Sequence, residues 1–194
     1  MLARVSNIES FRRWRENEDQ TVEDLVRFIT TDEPSEAMLA GTAFHRALEL
    51  AQDGEHQQLS ANGYTFILGD GELALPEIRE LRGYRRYGAL TVTGQVDCTI
   101  GKMVHDHKTT ARFDAERYLT GCQWKFYLEI FGADEFRWNV FEIKEVEPLT
   151  YTVSAPHRLT AYRYPEMGED CARLAADYLD FARRFLPNHR SVAA

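Results

Sequence analysis

The feature that most constrains this chain is a candidate β-hairpin centred on Gly101 and Lys102. Glycine can occupy the first position of a type II′ two-residue turn, so the chain is predicted to reverse here between strands at about 90–100 and 103–109. Counting outward from the turn predicts four cross-strand pairs: Ile100 with Met103, Thr99 with Val104, Cys98 with His105, and Asp97 with Asp106. The hairpin therefore places two carboxylates opposite each other.

Two opposed carboxylates need compensation. Directly opposed side chains lie roughly 4.5–5.5 Å apart at Cβ, where like charges are destabilising. Side chains alternate along a strand, so Lys108 is predicted to share a face with Asp106. The other face is predicted to be core, formed by Val92, Val96, Ile100 and Met103. On this geometry, removing Asp97 should slightly raise stability in the absence of a cation.

Two hard oxygen donors beside a lysine suit a divalent cation such as Mg²⁺ or Mn²⁺, which takes carboxylate, carbonyl and water ligands. Such an ion acidifies a bound water and polarises a phosphoryl oxygen, and a nearby ammonium group can orient that water or offset developing charge. Phosphodiester hydrolysis is the reaction class that this arrangement favours.

An acidic residue two places before a lysine is also common by chance, and the chain contains a second example. Asp134 precedes the triplet Glu142-Ile143-Lys144 with similar spacing. The residues between them form a continuous aromatic and β-branched run without a turn, so at about 3.3 Å per residue the two carboxylates end roughly 26 Å apart. This second set cannot share an ion, and the turn distinguishes the first set from it.

Four blocks of the sequence, taken in order, resemble the PD-(D/E)XK nuclease superfamily, in particular its RecB-like and phage-exonuclease branch. They are GTAFHRALE at 41–49, GQVD at 94–97, VHDHKTT at 104–110 and QWKFY at 123–127. The resemblance implies a restriction-endonuclease-like fold with an αβββαβ core, a mixed central sheet flanked by helices and extra terminal helices, in the α/β (α+β) class. Two departures are the missing proline before Asp97 and an aspartate rather than a glutamate at Asp106.

The resemblance also implies roles for individual residues. The metal ligands would be the side chains of His45, Asp97 and Asp106 and the backbone carbonyl of His107, holding Mg²⁺ or Mn²⁺. Lys108 would position or activate the attacking water. Gln123 and Tyr127 match the family's Q-x-x-x-Y motif and would support the active site. Thr109 and Gln123 would contact the DNA backbone.

Glu49 lies one helical turn after His45, so it is predicted to fix the imidazole ring or to reach the ion itself. A lone histidine on such a helix is more often structural, and only the other blocks favour a ligand. The three cysteines, Cys98, Cys122 and Cys171, are scattered and odd in number, which indicates reduced thiols. An iron–sulfur cluster, which needs four cysteines, is therefore not expected. A zinc cluster of Cys98, His105 and His107 would lack an evident fourth ligand.

A net charge of −8 argues against a protein that grips nucleic acid over its whole surface. A local basic track is still present just before the hairpin, where arginines interleave with Tyr84 and Tyr87. These predicted nucleic-acid-binding residues are Arg79, Arg82, Arg85 and Arg86. They combine phosphate contacts with stacking surfaces, although a solvated edge strand would carry the same residues.

The 194 residues are predicted to form one domain, because this length and a hydrophobic content of 44 % support a substantial core. Helices are expected near 8–16, 22–29, 38–51, 114–131 and 167–185, and further strands near 64–68, 73–84, 136–146 and 149–154; 158–164 is unclear. No apolar stretch has the length of a membrane span, which predicts a cytoplasmic protein.

The predicted function is a metal-dependent DNA exonuclease of phage or bacterial recombination and repair, with DNA and a repair protein as partners and an oligomer as an option. Two alternatives stay open. One is a non-catalytic nuclease-like subunit that binds DNA or protein, and the other is a hydrolase of RNA or nucleotides.

Overall fold

A computed structural model describes residues 1–31, 33–51, 54–55, 57–69, 72–73 and 79–186, with only the backbone described at 54–55, 72–73 and 79–80. The helices are α1 (Val5–Arg15), α2 (Val22–Thr30), α3 (Glu36–Leu50), α4 (Ala115–Leu119), α5 (Gln123–Phe131) and α6 (Met167–Phe185). The strands are β1 (Leu2–Arg4), β2 (Gly54–Glu55), β3 (Gln58–Ala61), β4 (Tyr64–Leu68), β5 (Glu72–Leu73), β6 (Arg79–Tyr87), β7 (Leu90–Ile100), β8 (Met103–Thr110), β9 (Glu135–Glu147), β10 (Thr150–Val153) and β11 (His157–Tyr162).

Nine of the described strands form one mixed sheet. Its main order is β1-β7-β8-β9-β10-β4-β3, with β6 also paired to β7 and β11 also paired to β9. The pairs β1/β7, β8/β9 and β10/β4 are parallel, and the remaining pairs are antiparallel. The short strands β2 and β5 form a separate two-stranded ribbon. The predicted fold class, a mixed central sheet flanked by helices, is confirmed.

Helices cover both faces of the sheet. Along β9 the alternating residues Trp138 and Val140 belong to a large core that includes α1, α5 and α6, whereas Phe141 belongs to a smaller core with α3, β3, β4 and β10. Successive side chains of a strand point to opposite faces, so the two cores lie on opposite sides of the sheet. None of the helices in the described ranges is long and apolar enough to cross a membrane.

The predicted hairpin is present with the predicted register over three pairs, Cys98–His105, Thr99–Val104 and Ile100–Met103. Gly101 has a φ of 57°, a left-handed value that a type II′ turn requires at its first position and that glycine adopts without strain. The predicted fourth pair, Asp97 with Asp106, is absent from the ladder. The two strands separate at this point.

The predicted apolar face of the hairpin is correct only in part. Val92 and Val96 are fully buried in the large core, but Val104 joins them there and Ile100 is 54 % exposed. Simple alternation fails because helices pack on both faces of the sheet, so neither face of the hairpin is purely core. The face that bears Asp106 is itself covered by α5.

Several element boundaries differ from the prediction. The expected helix over 114–131 is two helices, α4 and α5, because the chain turns at 120–122 between them. The unclear segment 158–164 is largely the edge strand β11, and the short strands β1 and β3 were not predicted. The predicted strand over 73–84 falls partly on residues 74–78, which lie outside the described part, and β6 continues to Tyr87.

Candidate active site

The candidate site lies where β7 and β8 separate. Beyond Cys98 and His105 the backbone ladder stops, and the Asp97 side chain takes over the connection: its Oδ2 atom accepts a hydrogen bond from the backbone N–H of His107. The carboxylate therefore ends the ladder in place of a backbone carbonyl. Asp97 is held by β8 rather than simply repelled by Asp106.

His45 of α3, the helix that packs on the smaller core, contacts the same Asp97 carboxylate. Its Nδ1 atom lies 2.9 Å from Asp97 Oδ1, and both side chains are only about a quarter exposed (28 % and 24 %). Helix α3 is held against the sheet because Phe44, Ala47 and Leu48 bury their side chains in the smaller core. This packing places the His45 imidazole beside Asp97 of β7.

Electrostatics reinforce this contact. Burial alone would raise the pKa of Asp97, but the hydrogen bond and charge of His45 outweigh it and lower that pKa to about 2. Burial likewise opposes charge on His45, yet Asp97 raises its pKa above the ordinary value. Burial lowers the pKa of the neighbouring His107 to about 4, so its ring is neutral. The Asp97 carboxylate is therefore ionised at neutral pH.

Asp106 and Lys108 form a second buried pair on β8. Lys108 Nζ lies 2.8 Å from Asp106 Oδ2 and 3.1 Å from Oδ1, and Asp106 is 3 % exposed. Burial and the Asp97 charge raise the pKa of Asp106. Burial would lower the pKa of Lys108, but the Asp106 charge raises it overall. Lys108 is thus an ammonium group that can donate hydrogen bonds but cannot accept a proton.

Gln123 and Tyr127 close the site from the large core. Gln123 Nε2 donates to Tyr127 Oη at 2.9 Å, and the two residues lie one turn apart on α5. Burial raises the pKa of Tyr127, which keeps its hydroxyl protonated. Gly94 permits this packing: a Cβ atom there would lie 2.4 Å from Tyr127 Cε1, closer than two carbon atoms can approach. The predicted Q-x-x-x-Y pair is therefore at the site.

The oxygen and nitrogen ligands at this site are of the kinds that Mg²⁺ or Mn²⁺ binds, but both carboxylates already have partners within the protein. Within the described ranges, no three histidine, cysteine, aspartate or glutamate side chains converge closely enough to hold an ion as they stand, so no zinc cluster forms there either. Asp97 is engaged by His45 and His107, and Asp106 by Lys108. Asp106 Oδ2 is nevertheless buried without a hydrogen bond, although it forms an ion pair with Lys108. That unsatisfied oxygen fits a cation.

Other predicted site residues lie in different surroundings. Glu49 accepts a hydrogen bond from Arg46 at 2.7 Å, and the carboxylate at His45 Nδ1 is that of Asp97. Thr109 lines a cavity of about 130 Å³ together with Lys108 and Gln123.

The predicted arginine track divides into different roles. Arg85 pairs with the buried Glu129, with Nη2 2.8 Å from Oε2, and therefore joins β6 to α5 as a structural residue. Arg86 donates to the Gly88 carbonyl in the adjacent turn. Tyr87 packs edge-on against Phe126 in the core. The Arg79 side chain lies outside the described part.

Arg82 differs, because its partner is an uncharged side chain. Its Nε and Nη2 atoms donate to Gln95 Oε1 at 3.2 and 2.7 Å. Arg82 therefore lies opposite Gln95, two residues before Asp97 on β7.

Sequence reasoning missed Glu9, a carboxylate that is 6 % exposed on α1. It accepts hydrogen bonds from Arg12, Arg13 and the backbone N–H of Cys122, which immediately precedes α5. Glu9 thus ties α1 to the start of the helix that carries Gln123. Arginines three and four residues after Glu9 were a readable signal for ion pairs within the helix, but the contact with Cys122 was not readable.

Replacing Asp97 with alanine is expected to lower the free energy of unfolding by about 1–3 kcal/mol in the absence of metal, because the His107 amide and the His45 ring lose their acceptor. This reverses the expectation from opposed carboxylates. Urea unfolding in a chelator measures it. Asp134→Ala is the control, since Asp134 is 56 % exposed and its carboxylate lies 3.0 Å from the exposed Lys102 and 3.8 Å from Arg163. A more stable Asp97→Ala protein would show that carboxylate repulsion dominates.

No family model matches the chain, and no curated protein matches it. Solved structures do. The protein SSO0001 is 15 % identical over 92 % of this chain and 75 % of its own, with a TM-score of 0.52. An alkaline exonuclease, LHK-Exo from Laribacter hongkongensis, is 11 % identical over 94 % of this chain and 88 % of its own, with a TM-score of 0.50. The chain therefore has a nuclease-like fold.

Proposed function

We propose that this chain is a divalent-metal-dependent DNA nuclease of the RecB-like and phage-exonuclease branch of the PD-(D/E)XK superfamily. One observation carries the proposal. The pairs His45–Asp97, Asp106–Lys108 and Gln123–Tyr127 arise from three separate parts of the chain and meet where β7 and β8 separate. The fold shared with an alkaline exonuclease supports the same reading.

In this proposal His45, Asp97, Asp106 and the His107 carbonyl hold Mg²⁺ or Mn²⁺. When bound, the ion supplies an acidified water and polarises a phosphoryl oxygen. The chain's own residues do the rest. Lys108, displaced from Asp106, donates hydrogen bonds that orient the water and offset charge on the phosphoryl group. Water would attack phosphorus and lose a proton to solvent, one ester P–O bond would break, and the leaving oxygen would take up a proton from solvent.

The Gln123–Tyr127 pair of α5 supports this chemistry from the side of the sheet that faces the large core. Tyr127 is buried and protonated, so its hydroxyl acts only as a hydrogen-bonding group near Asp106 and Lys108. Gln123 and Thr109 line the cavity that also contains Lys108. A phosphodiester backbone entering this cavity would meet an amide, a hydroxyl and an ammonium group, all of which can donate hydrogen bonds to phosphate oxygens.

The biological role within this proposal is exonucleolytic processing of DNA in phage or bacterial recombination and repair, with a repair protein as a partner. Preference for ends follows from the family branch and is tested by comparing linear with circular DNA. A second candidate is a non-catalytic DNA- or partner-binding subunit. The pairing of Asp97 with His45 and of Asp106 with Lys108 favours it, because a positively charged partner can offset each carboxylate without an ion.

The deciding experiment is cleavage of end-labelled DNA, linear and circular, single- and double-stranded, with an RNA strand of the same sequence. Reactions contain Mg²⁺ or Mn²⁺, with a chelator control. Chelator-sensitive loss of linear DNA alone supports the exonuclease, and loss of circles indicates an endonuclease. Intact substrates with retained DNA binding would favour the non-catalytic subunit, and preferential loss of RNA would change the substrate class.

Calorimetric titration with Mn²⁺ tests the ion separately. Wild-type protein is expected to bind it and an Asp106→Asn variant to bind it more weakly.

A further inference from the structure

Strand β7 has an uncovered stretch immediately before Asp97. Along one side β7 pairs with β6 from Leu90 to Cys98. Along the other side it pairs with β1 at 91–93 and with β8 at 98–100. On this second side, residues 94–97 lie between β1 and β8 and pair with no strand in the described part of the chain. The gap ends at the candidate site.

A cavity of about 350 Å³ opens at this gap. Its charged and polar lining comes from three parts of the chain: Arg4 and Ser6 where β1 passes into α1, Arg82 of β6, and Thr93 and Gln95 of β7. Tyr127 also lines this cavity and accepts the hydrogen bond from Gln123, and Gln123 lines the second cavity together with Lys108. The Gln123–Tyr127 pair therefore separates two cavities that flank the same site.

The lining is positive although the protein as a whole is acidic, with a net charge of −8. Arg82 carries most of the argument. Its partner is the neutral Gln95 oxygen, and no carboxylate pairs with it within the described ranges. Its strand neighbour Arg85, in contrast, is neutralised by Glu129. A guanidinium group paired only with an amide keeps its full charge for a ligand.

We propose that this cavity binds the phosphate next to the scissile phosphate on the substrate strand, with Arg82 as its principal contact. The proposal rests on the nuclease function proposed above and adds a second backbone site to it. Gln95 lies two residues before Asp97, about 7 Å along the strand. A guanidinium group is well matched to phosphate, because its planar fork donates two parallel hydrogen bonds.

The test measures DNA affinity without cleavage, by fluorescence anisotropy of a labelled oligonucleotide in Ca²⁺ or chelator, over a range of salt concentrations. Arg82→Ala is expected to weaken binding roughly tenfold and to reduce the salt dependence by about one charge, equally for all sequences. Arg183→Ala is the control for general surface charge: Arg183 is 59 % exposed near the end of α6 and does not line the cavity.

Gln95→Glu separates ligand binding from a structural role of Arg82. The substitution keeps the shape of the side chain and gives Arg82 a carboxylate partner, so a structural role would be preserved or strengthened. A phosphate site would instead be neutralised, and affinity should fall as in Arg82→Ala. Thermal unfolding of each variant checks the fold.

Two results would overturn the proposal. One is an unchanged affinity in Arg82→Ala, and the other is an equal loss in Arg183→Ala, which would indicate general surface charge. Because the experiment measures DNA binding and not cleavage, it tests the cavity separately from the proposed nuclease function. DNA that is cleaved by wild type but bound equally by Arg82→Ala contradicts only the cavity, and DNA that is bound through Arg82 but never cleaved contradicts only the nuclease.

Discussion

Replacing Lys108 with methionine is expected to reduce the rate of DNA cleavage about 100-fold or more, the usual effect of removing one group that stabilises charge in the transition state. Lys108 carries an ammonium group at the site, because Asp106 raises its pKa against the effect of burial. Methionine keeps most of the aliphatic stem and removes the charge. Single-turnover cleavage of end-labelled DNA, with metal and enzyme in excess, measures the chemical step.

The matched control is Lys144→Met, because the chain repeats the acidic-x-lysine pattern there. Lys144 is exposed on β9, a strand that runs without interruption from Glu135 to Glu147. No turn brings Asp134 back toward Glu142, so this second set has no site around it. Equal loss of activity in both variants, or full activity in Lys108→Met, would contradict the assigned role.

The Lys108→Met variant also leaves the buried Asp106 without its cation. A buried carboxylate that loses its partner is strongly destabilising, whereas replacing both members of a pair is close to neutral. The double variant Lys108→Met, Asp106→Asn is therefore expected to be more stable than the single one, while its cleavage rate stays at least as low. Activity that returned with stability would show that Lys108 acts only on the fold.

Replacing Glu9 with glutamine is expected to lower the free energy of unfolding by about 3–5 kcal/mol, because breaking a buried ion cluster leaves its cations uncompensated. Glu9 is 6 % exposed and joins Arg12, Arg13 and the Cys122 amide. Urea unfolding measures the effect. Glu16→Gln is the control on the same helix: it also pairs with Arg12, at 2.5 Å, but is 64 % exposed. It should cost under about 1 kcal/mol, and equal effects would contradict the importance of burial.

Because of Glu9, the free energy of unfolding is also expected to depend on pH. Burial raises the pKa of Glu9, but hydrogen bonds from Arg12 and Cys122 outweigh it and lower that pKa from 4.5 to about 2. A depressed pKa in the folded state contributes stability above the unfolded value and loses it as pH falls. Wild-type stability should therefore decline between about pH 4.5 and 2, and Glu9→Gln should lack this component. Parallel declines in both proteins would contradict it.

The sequence was sufficient for the hairpin and the elements around it because their signals are local. A glycine at the turn fixed the register of the three nearest pairs, and apolar spacing located α3 and α6. The end of the ladder was not readable, since it depends on the Asp97 side chain displacing a backbone acceptor of His107. The break between α4 and α5 was missed because the residues at 120–122 include only one glycine to signal it.

The site was predictable to the extent that its residues lie in ordered motifs. His45, Asp97, Asp106, Lys108, Gln123 and Tyr127 all lie at or beside the point where β7 and β8 separate. The surrounding cavities were not predictable, because residues distant in sequence line them: Arg4 and Gln95 on one side, and Arg13 and Arg117 on the other. The role of Arg85 was misread because only the fold brings Glu129 to it.

The two cores on opposite faces of the sheet have a consequence for heat inactivation. His45 is carried by the smaller layer, whereas Gln123 and Tyr127 belong to the larger one. Among the residues that the structure describes, the smaller layer has eight buried hydrophobic members against 27 in the larger, so fewer apolar contacts hold it in place. Loosening of α3 alone would withdraw the imidazole while most of the protein stayed folded. The function of this chain would then fail at a lower temperature than its structure.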